Sequence, residues 1–154
     1  MLIRRATADD IPAIRALASQ SPEAAQWSEQ HYDALAAGDS SRLVLVAEER
    51  GDILGFLVAH AIAGEFELEN IVVTARARRR GVGGSLVSEL VKAAVQQGFQ
   101  AIHLEVRGQN RVARALYERL GFVQSGVRRG YYDCPADDAI LYTREISAAA
   151  PENG

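Results

Sequence analysis

The sequence predicts an α/β (α+β) domain built on a mixed, mostly antiparallel central sheet of about seven strands, flanked by about four helices. Three observations point there. Short β-rich runs separated by tight turns fill residues 43–73, which is the pattern of hairpins. Strand and helix periodicities then alternate from residue 65 to residue 122, which is the pattern of helical crossovers. No Pro/Gly/Ser-rich linker interrupts the run, so residues 1–147 read as a single domain and 148–154 as a flexible tail.

Each element has a local reason. Leu2 to Ala6 reads as a short strand. Thr7 can cap a helix whose first turn holds Asp9 and Asp10, where the positive end of the helix dipole favours acids; Ile11, Ile14, Leu17 and Ala18 follow at helical spacing. Ser28 caps a second helix, Glu29 to Ala37, with Trp27 as a hydrophobic anchor before it and Gly38 as its stop. Leu43 to Glu48 and Ile53 to Ile62 flank the Gly51-Asp52 turn and pair as a hairpin. Glu65 to Val73 follows the turn at Gly64. Ser85 to Gln97 is helical, with Leu86, Leu90, Val91 and Ala94 on one face and Gly98 at the end. Ala101 to Val106 is a strand. Asn110 caps the helix Arg111 to Leu120, which Gly121 ends. Strands near Phe122 to Val127 and Ala139 to Ile146 complete the order, with Tyr131 and Tyr132 between them.

Bulk properties narrow the function. The balance of 48% hydrophobic and 24% charged residues over 154 positions is that of a soluble globular protein. A net charge of -3 argues against direct nucleic-acid binding through bulk positive charge. The one cysteine, Cys134, rules out a disulfide within the chain, and His31, His60 and His103 show no metal-ligand spacing. No apolar run approaches the ~20 residues that span a bilayer. The N-terminus turns acidic before an apolar targeting segment can form, so a cytoplasmic location with no membrane association is expected.

Chemistry concentrates first in Arg78-Arg79-Arg80-Gly81-Val82-Gly83-Gly84, between a predicted strand and a predicted helix. Glycine lets a ligand approach the main chain, and the amides at a helix start are unpaired and carry partial positive charge. Such a loop suits a phosphate or pyrophosphate, with the arginines at its rim. A P-loop would need Lys and Ser/Thr after the last glycine, but Ser85-Leu86 follow; a dinucleotide loop would need a small residue at 86. The plainer reading is a strand-to-helix turn with a solvated basic run.

This loop resembles the R/Q-x-x-G-x-G/A signature of the GNAT superfamily of N-acetyltransferases, met by Arg78, Gly81 and Gly83, and the order of elements matches from about Leu2 to Ile146. Glu69-Asn70-Ile71-Val72-Val73, Leu104-Glu105-Val106-Arg107, Asn110, Ala115-Leu116-Tyr117-Glu118, Gly121-Phe122, Arg128-Arg129-Gly130-Tyr131-Tyr132 and Asp137-Asp138-Ala139 look like its RimI-like branch, as does Trp27 to Tyr32. Members of that branch acetylate the N-terminal alanine of a ribosomal protein. The departures, Asp137 and Tyr142, lie on the acceptor side and put the peptide specificity in question. The resemblance implies acetyl-CoA as acetyl donor and a protein N-terminus, that of a ribosomal protein, as acceptor. It implies that main-chain groups of Ile71, Val72 and Val73 pair with the pantetheine arm. Amides of Arg79, Arg80, Gly81, Val82, Gly83 and Gly84 then hold the pyrophosphate, with Arg78 at the rim, and Asn110 contacts the cofactor arm. It makes Glu105 the general base and Tyr117 the general acid.

The residues by themselves leave alternatives. Amines attack thioesters as neutral bases, and an N-terminal amine with a pKa of about 7.7–8.0 is partly protonated near neutrality, so a carboxylate beside it has work to do. Ile102, Leu104 and Val106 alternate to one strand face and leave His103 and Glu105 on the other. A carboxylate there, in a sheet covered on both faces, is a base raised by burial, a partner for Arg107 or Arg128, or a solvated strand end. Tyr117 is an acid or a core tyrosine. Glu67 and Glu69 are rival bases or a polar sheet face. Cys134 is an unsupported nucleophile, and Tyr131 and Tyr132 line an acceptor cleft or pack across strands. An acetyltransferase of small amines or lysine, and a silent acetyl-CoA sensor, share most of these features.

Overall fold

The structure, a computed structural model, describes residues 1–21 and 28–146; the expected anchor Trp27 and the tail 148–154 lie outside the described residues. The strands are β1 (Leu2–Arg5), β2 (Arg42–Glu49), β3 (Asp52–Ile62), β4 (Glu65–Val73), β5 (Ala101–Arg107), β6 (Val123–Asp133) and β7 (Ala136–Glu145). The helices are α1 (Ile11–Ser19), α2 (Glu29–Ala36), α3 (Val82–Gln97) and α4 (Arg111–Arg119). All seven strands form one sheet in the order β1-β2-β3-β4-β5-β7-β6. The pairs β1–β2, β2–β3, β5–β7 and β6–β7 are antiparallel, and β4–β5 is parallel, in register at Glu65↔Ala101, Phe66↔Ile102 and Glu67↔His103. This is the mixed, mostly antiparallel sheet that the hairpin and crossover patterns predict.

The chain forms two compact units, Met1–Ala61 with Glu69–Leu90, and Ile62–Leu68 with Val91–Gly154. In the first, Ile11, Ile14 and Ala18 of α1 and Tyr32 and Leu35 of α2 bury against Val46, Phe56, Val58 and Val72. Thr7 ends β1's extension and begins a 3-10 turn, Ala8–Asp10, so Asp9 and Asp10 precede α1 rather than open it. The Asp10 carboxylate reaches back to the Thr7 N–H at 2.7 Å and accepts two bonds from the Arg4 guanidinium at 2.8 and 3.0 Å. Ser28 caps α2 as expected, accepting from the His31 N–H. Gly55, buried in β3, has a positional cause: a Cβ there would lie 2.7 Å from the Val72 carbonyl oxygen and 3.3 Å from the Val73 Cα. Only glycine lets β3 come this close to the main chain of β4.

In the second unit Ile102, Leu104 and Val106 are buried, and the alternate residues His103, Glu105 and Arg107 face a more open side. Phe66 and Phe99 pack with tilted rings at 4.7 Å between centroids. The hairpin β6–β7 is longer than the sequence suggests. Tyr131 and Tyr132 lie inside β6, in register up to Asp133↔Ala136, rather than in a connection. Its polar, arginine-rich run lacks the apolar alternation that signals a strand, and pairing with β7 supplies the order instead.

Candidate active site

The first unit carries the glycine-rich loop. β4 ends at Val73, Ala75–Ala77 make a 3-10 turn, and α3 begins at Val82, three residues before the expected Ser85. Gly83 and Gly84 therefore sit inside the helix's first turn. The early start follows from Gly81, whose φ of +79° turns the chain and whose carbonyl accepts the Ser85 N–H at 3.0 Å. Helix geometry leaves the first amides of α3 without intrahelical acceptors, so Val82, Gly83 and Gly84 present N–H groups at the positive end of a 16-residue helix. No side chain at 81, 83 or 84 covers them, and a Cβ at Gly81 would meet open space. A diphosphate fits this cradle by charge and by access.

The arginines around the loop differ in commitment. Arg80 donates two bonds to Glu49, at 2.8 and 2.9 Å, and this guanidinium holds the Glu49 carboxyl below its ordinary value. Arg76 lies 3.6 Å from Asp52. Arg78 donates from Nε to the Val73 carbonyl at 3.4 Å, which ties the loop back to the strand end. Arg79, in the left-handed region at φ +67°, is exposed and has no side-chain partner among the described residues. On β4, Val72 belongs to the core, while Ile71 and Val73 are half-buried. Glu69 is not free to act as a base: Arg42 grips it with bonds of 2.7 and 3.0 Å, and His60 Nδ1 lies 3.8 Å away. Nothing in the sequence pattern pairs Arg42 with a residue 27 positions on; only the sheet order does.

The second unit carries Glu105, Asn110 and Tyr117. The Glu105 side chain is 32% exposed and lies 3.4 Å from the Arg128 guanidinium. Of the readings left open for it, the structure has the ion pair with Arg128 on a partly open strand face, and not burial between helices. Its surroundings are cationic and aromatic. Arg107 stacks 4.0 Å over the Tyr132 ring, Arg128 lies 5.5 Å over Tyr131, and the two tyrosines meet edge to face at 5.1 Å. Burial, and then the negative charge of Glu105, push the Tyr132 phenol above its ordinary value. Glu67, the other rival base, is exposed on β4.

Asn110 caps α4 as the sequence predicts, accepting from the Ala113 N–H at 3.2 Å. Tyr117 is 5% exposed. Its ring packs at 5.7 Å from Phe122 and 6.4 Å from Tyr142. Its hydroxyl has no hydrogen-bond partner among the described residues, and burial pushes the phenol up to about 12. The group is therefore kept neutral, with its proton retained, as a proton donor requires. Tyr142, expected on the acceptor side, is instead fully buried on β7, and sequence reasoning missed the neighbours that hold α4. The Tyr142 hydroxyl donates to Glu118 at 2.7 Å and accepts from Arg114 Nε at 3.0 Å, and Arg114 also donates to the Gly108 carbonyl at 3.0 Å. Asp137 accepts the Gln109 N–H at 3.0 Å and so fixes the turn that leads into α4. Cys134 is exposed and lies at the hairpin turn. Among the described residues, no group of three or more His, Cys, Asp or Glu side chains is placed to hold a metal, and no helix is long and apolar enough to cross a membrane.

The chain is similar to known acetyltransferases. The model of the acetyltransferase (GNAT) family matches residues 11–122. The [ribosomal protein bS18]-alanine N-acetyltransferase of Salmonella typhimurium is 34% identical over 140 residues, covering 90% of this chain and 93% of that protein. The Escherichia coli protein of the same name is 33% identical over 141 residues, with the same coverage. The crystal structure of the Escherichia coli ribosomal-protein-S18-alanine N-acetyltransferase superposes with a TM-score of 0.85 at 29% identity, covering 98% of this chain and 97% of the other. Arabidopsis thaliana NAA60, in complex with a bisubstrate analogue, shares the fold at a TM-score of 0.85 and 16% identity, covering 96% of this chain and 99% of the other. The chain belongs to the GNAT family of acetyltransferases and is an N-acetyltransferase.

Proposed function

We propose that this enzyme moves the acetyl group of acetyl-CoA to the N-terminal alanine of a ribosomal protein, by direct attack of the amine in a ternary complex. The loop supports the donor: the N–H groups from Arg79 to Gly84 hold its diphosphate, Arg78 lies at the rim, and the main chain of Ile71 to Val73 aligns its pantetheine arm. Arg80 serves the loop's shape through Glu49 as well as its charge. Asn110 adds a contact to the arm besides capping α4.

Glu105 removes the proton from the acceptor ammonium, which frees the nitrogen lone pair to form the new C–N bond. Tyr117 gives its proton to the departing thiolate as the C–S bond breaks. Proton transfer by positioned groups of this kind contributes about 100- to 10,000-fold. Tyr131 and Tyr132 flank the acceptor. The choice of a protein N-terminus rests on the similarity to the bS18-alanine enzymes, and a cytoplasmic location goes with a ribosomal acceptor.

The single observation that carries the reading is the bare, amide-lined start of α3 after Gly81. The test is thiol release from acetyl-CoA against a panel: peptides beginning with alanine, a lysine peptide, polyamines and aminoglycosides. Fastest release with the alanine peptides is expected. Release with small amines or lysine alone overturns the acceptor. Saturable acetyl-CoA binding with no release on any amine overturns the enzyme in favour of a sensor.

A further inference from the structure

We propose that Tyr142 is a positioning residue for Tyr117: its buried hydroxyl, held between Arg114 and Glu118, fixes the rotation of α4 and so aims the Tyr117 phenol. The inference rests on the reading of Tyr117 as the acid.

The Tyr117 hydroxyl has no hydrogen bond among the described residues to orient it. Its placement depends on where α4 stands and on two rings, Phe122 and Tyr142. The helix itself gives little purchase. It is nine residues long, and Arg111, Arg114, Glu118 and Arg119 are charged. Val112 is 85% exposed. A helix this short takes its placement from tertiary contacts.

Tyr142 supplies such contacts. It is fully buried on β7, in register with Leu104 of β5 and Gln124 of β6, so its backbone is fixed by strands on both sides. Its hydroxyl accepts from Arg114 Nε at 3.0 Å and donates to Glu118 Oε2 at 2.7 Å. Residues 114 and 118 are one helical turn apart, on the face that also bears Tyr117. Two anchors at that spacing fix rotation and axial shift together. A second bond, from Arg114 to the Gly108 carbonyl at 3.0 Å, ties the same anchor to the turn before α4. Both bonds involve a charged group, so each is stronger than a neutral pair. A phenylalanine at 142 would fill the same space and keep the ring contact, but it would hold neither anchor.

The experiment is a cycle of Tyr142→Phe, Tyr117→Phe and the double variant, assayed with acetyl-CoA and a peptide beginning with alanine. Tyr142→Phe is expected to lower kcat about 10-fold, part of the ~100-fold that a 1 Å misplacement costs, with the KM for acetyl-CoA unchanged. In the Tyr117→Phe background the same change should have no further effect on kcat. Without any acceptor, ¹³C-tyrosine spectra should show the Tyr117 ring signals move in Tyr142→Phe. Glu118→Ala, which removes one anchor from the exposed side, should lower kcat several-fold, and Glu118→Gln, which keeps an acceptor, should restore it. An equal kcat loss in both backgrounds, or unmoved Tyr117 signals, overturns the positioning role. Wild-type turnover in Tyr117→Phe overturns the acid assignment first, and the two failures are told apart by that variant.

Discussion

The Arg128 guanidinium lies 3.4 Å from the Glu105 carboxylate, on the open face of the sheet. An exposed ion pair of this kind is worth about 0–1 kcal/mol, so holding Arg128 is a weak reason for Glu105 to exist. The two jobs predict different results. If Glu105 takes the amine's proton, Glu105→Gln lowers kcat by about 100-fold or more, while Arg128→Gln changes it by less than about 10-fold. The deficit of Glu105→Gln should widen as pH falls, because the neutral fraction of an amine with a pKa near 7.7–8.0 drops about tenfold for each pH unit below it. Equal and small effects from the two variants, flat across pH, would return Glu105 to a structural role.

Tyr117 separates chemistry from stability in a way few buried tyrosines do. Its hydroxyl makes no hydrogen bond among the described residues, so Tyr117→Phe breaks none. Thermal unfolding should stay unchanged or rise, and acetyl-CoA binding by calorimetry should be retained, while kcat falls by about 100-fold. With the phenol pushed up to about 12, its proton is retained through neutral and mildly alkaline pH. The wild-type enzyme should therefore show no alkaline loss of kcat from this group below that value. A loss of cofactor binding in Tyr117→Phe, with kcat intact, points to packing instead.

What the sequence made legible follows the physics of its signals. Apolar alternation marked β2 to β5, and capping chemistry marked α2 and α4, because Ser28 and Asn110 bond their own helix within three residues. The bare loop was equally visible, since glycine and arginine at close spacing need no distant partner. The long hairpin was not visible: β6 reads Val-Gln-Ser-Gly-Val-Arg-Arg-Gly-Tyr-Tyr-Asp, and its order comes from β7 rather than from its own pattern. Arg128 was one of two partners the sequence offered Glu105, but the commitment of Glu69 to Arg42 and of Arg114 to Tyr142 depends on which strands and helices meet. Local periodicity carries no record of that.

Two glycines near the loop should fail in different ways. Gly55→Ala places a methyl 2.7 Å from the Val72 carbonyl oxygen, a backbone atom that cannot swing aside. Strands β3 and β4 must part, at a cost of about 1–3 kcal/mol, seen as a lower denaturation midpoint. Gly81→Ala meets no atom within 4 Å, but it sits at φ +79°. The strain there is about 1–2 kcal/mol, and relief of it reorients the first amides of α3. Its signature should be a raised KM for acetyl-CoA with a smaller stability loss than Gly55→Ala. An unchanged KM in a folded Gly81→Ala enzyme would remove the loop from donor binding.

Asp10 gives a stability prediction with a definite sign. Its hydrogen bonds from Arg4, and secondarily the Thr7 N–H, hold its carboxyl below the ordinary value, against the opposing effect of burial. The native state then carries fewer protons than the unfolded chain at acidic pH. The contribution is fully present above the unfolded-state value near 3.9, and it is lost as pH falls through the lower folded-state value. Asp10→Asn keeps the shape but withdraws the charge that Arg4 pairs with, so at neutral pH it should cost about 2 kcal/mol. Below the folded-state value the wild-type carboxyl is itself protonated, and the two curves of unfolding free energy against pH should converge. Parallel curves would mean that Asp10 acts through packing or through the Thr7 turn alone. Denaturant titrations at neutral pH and in steps down to the acid limit measure the difference directly.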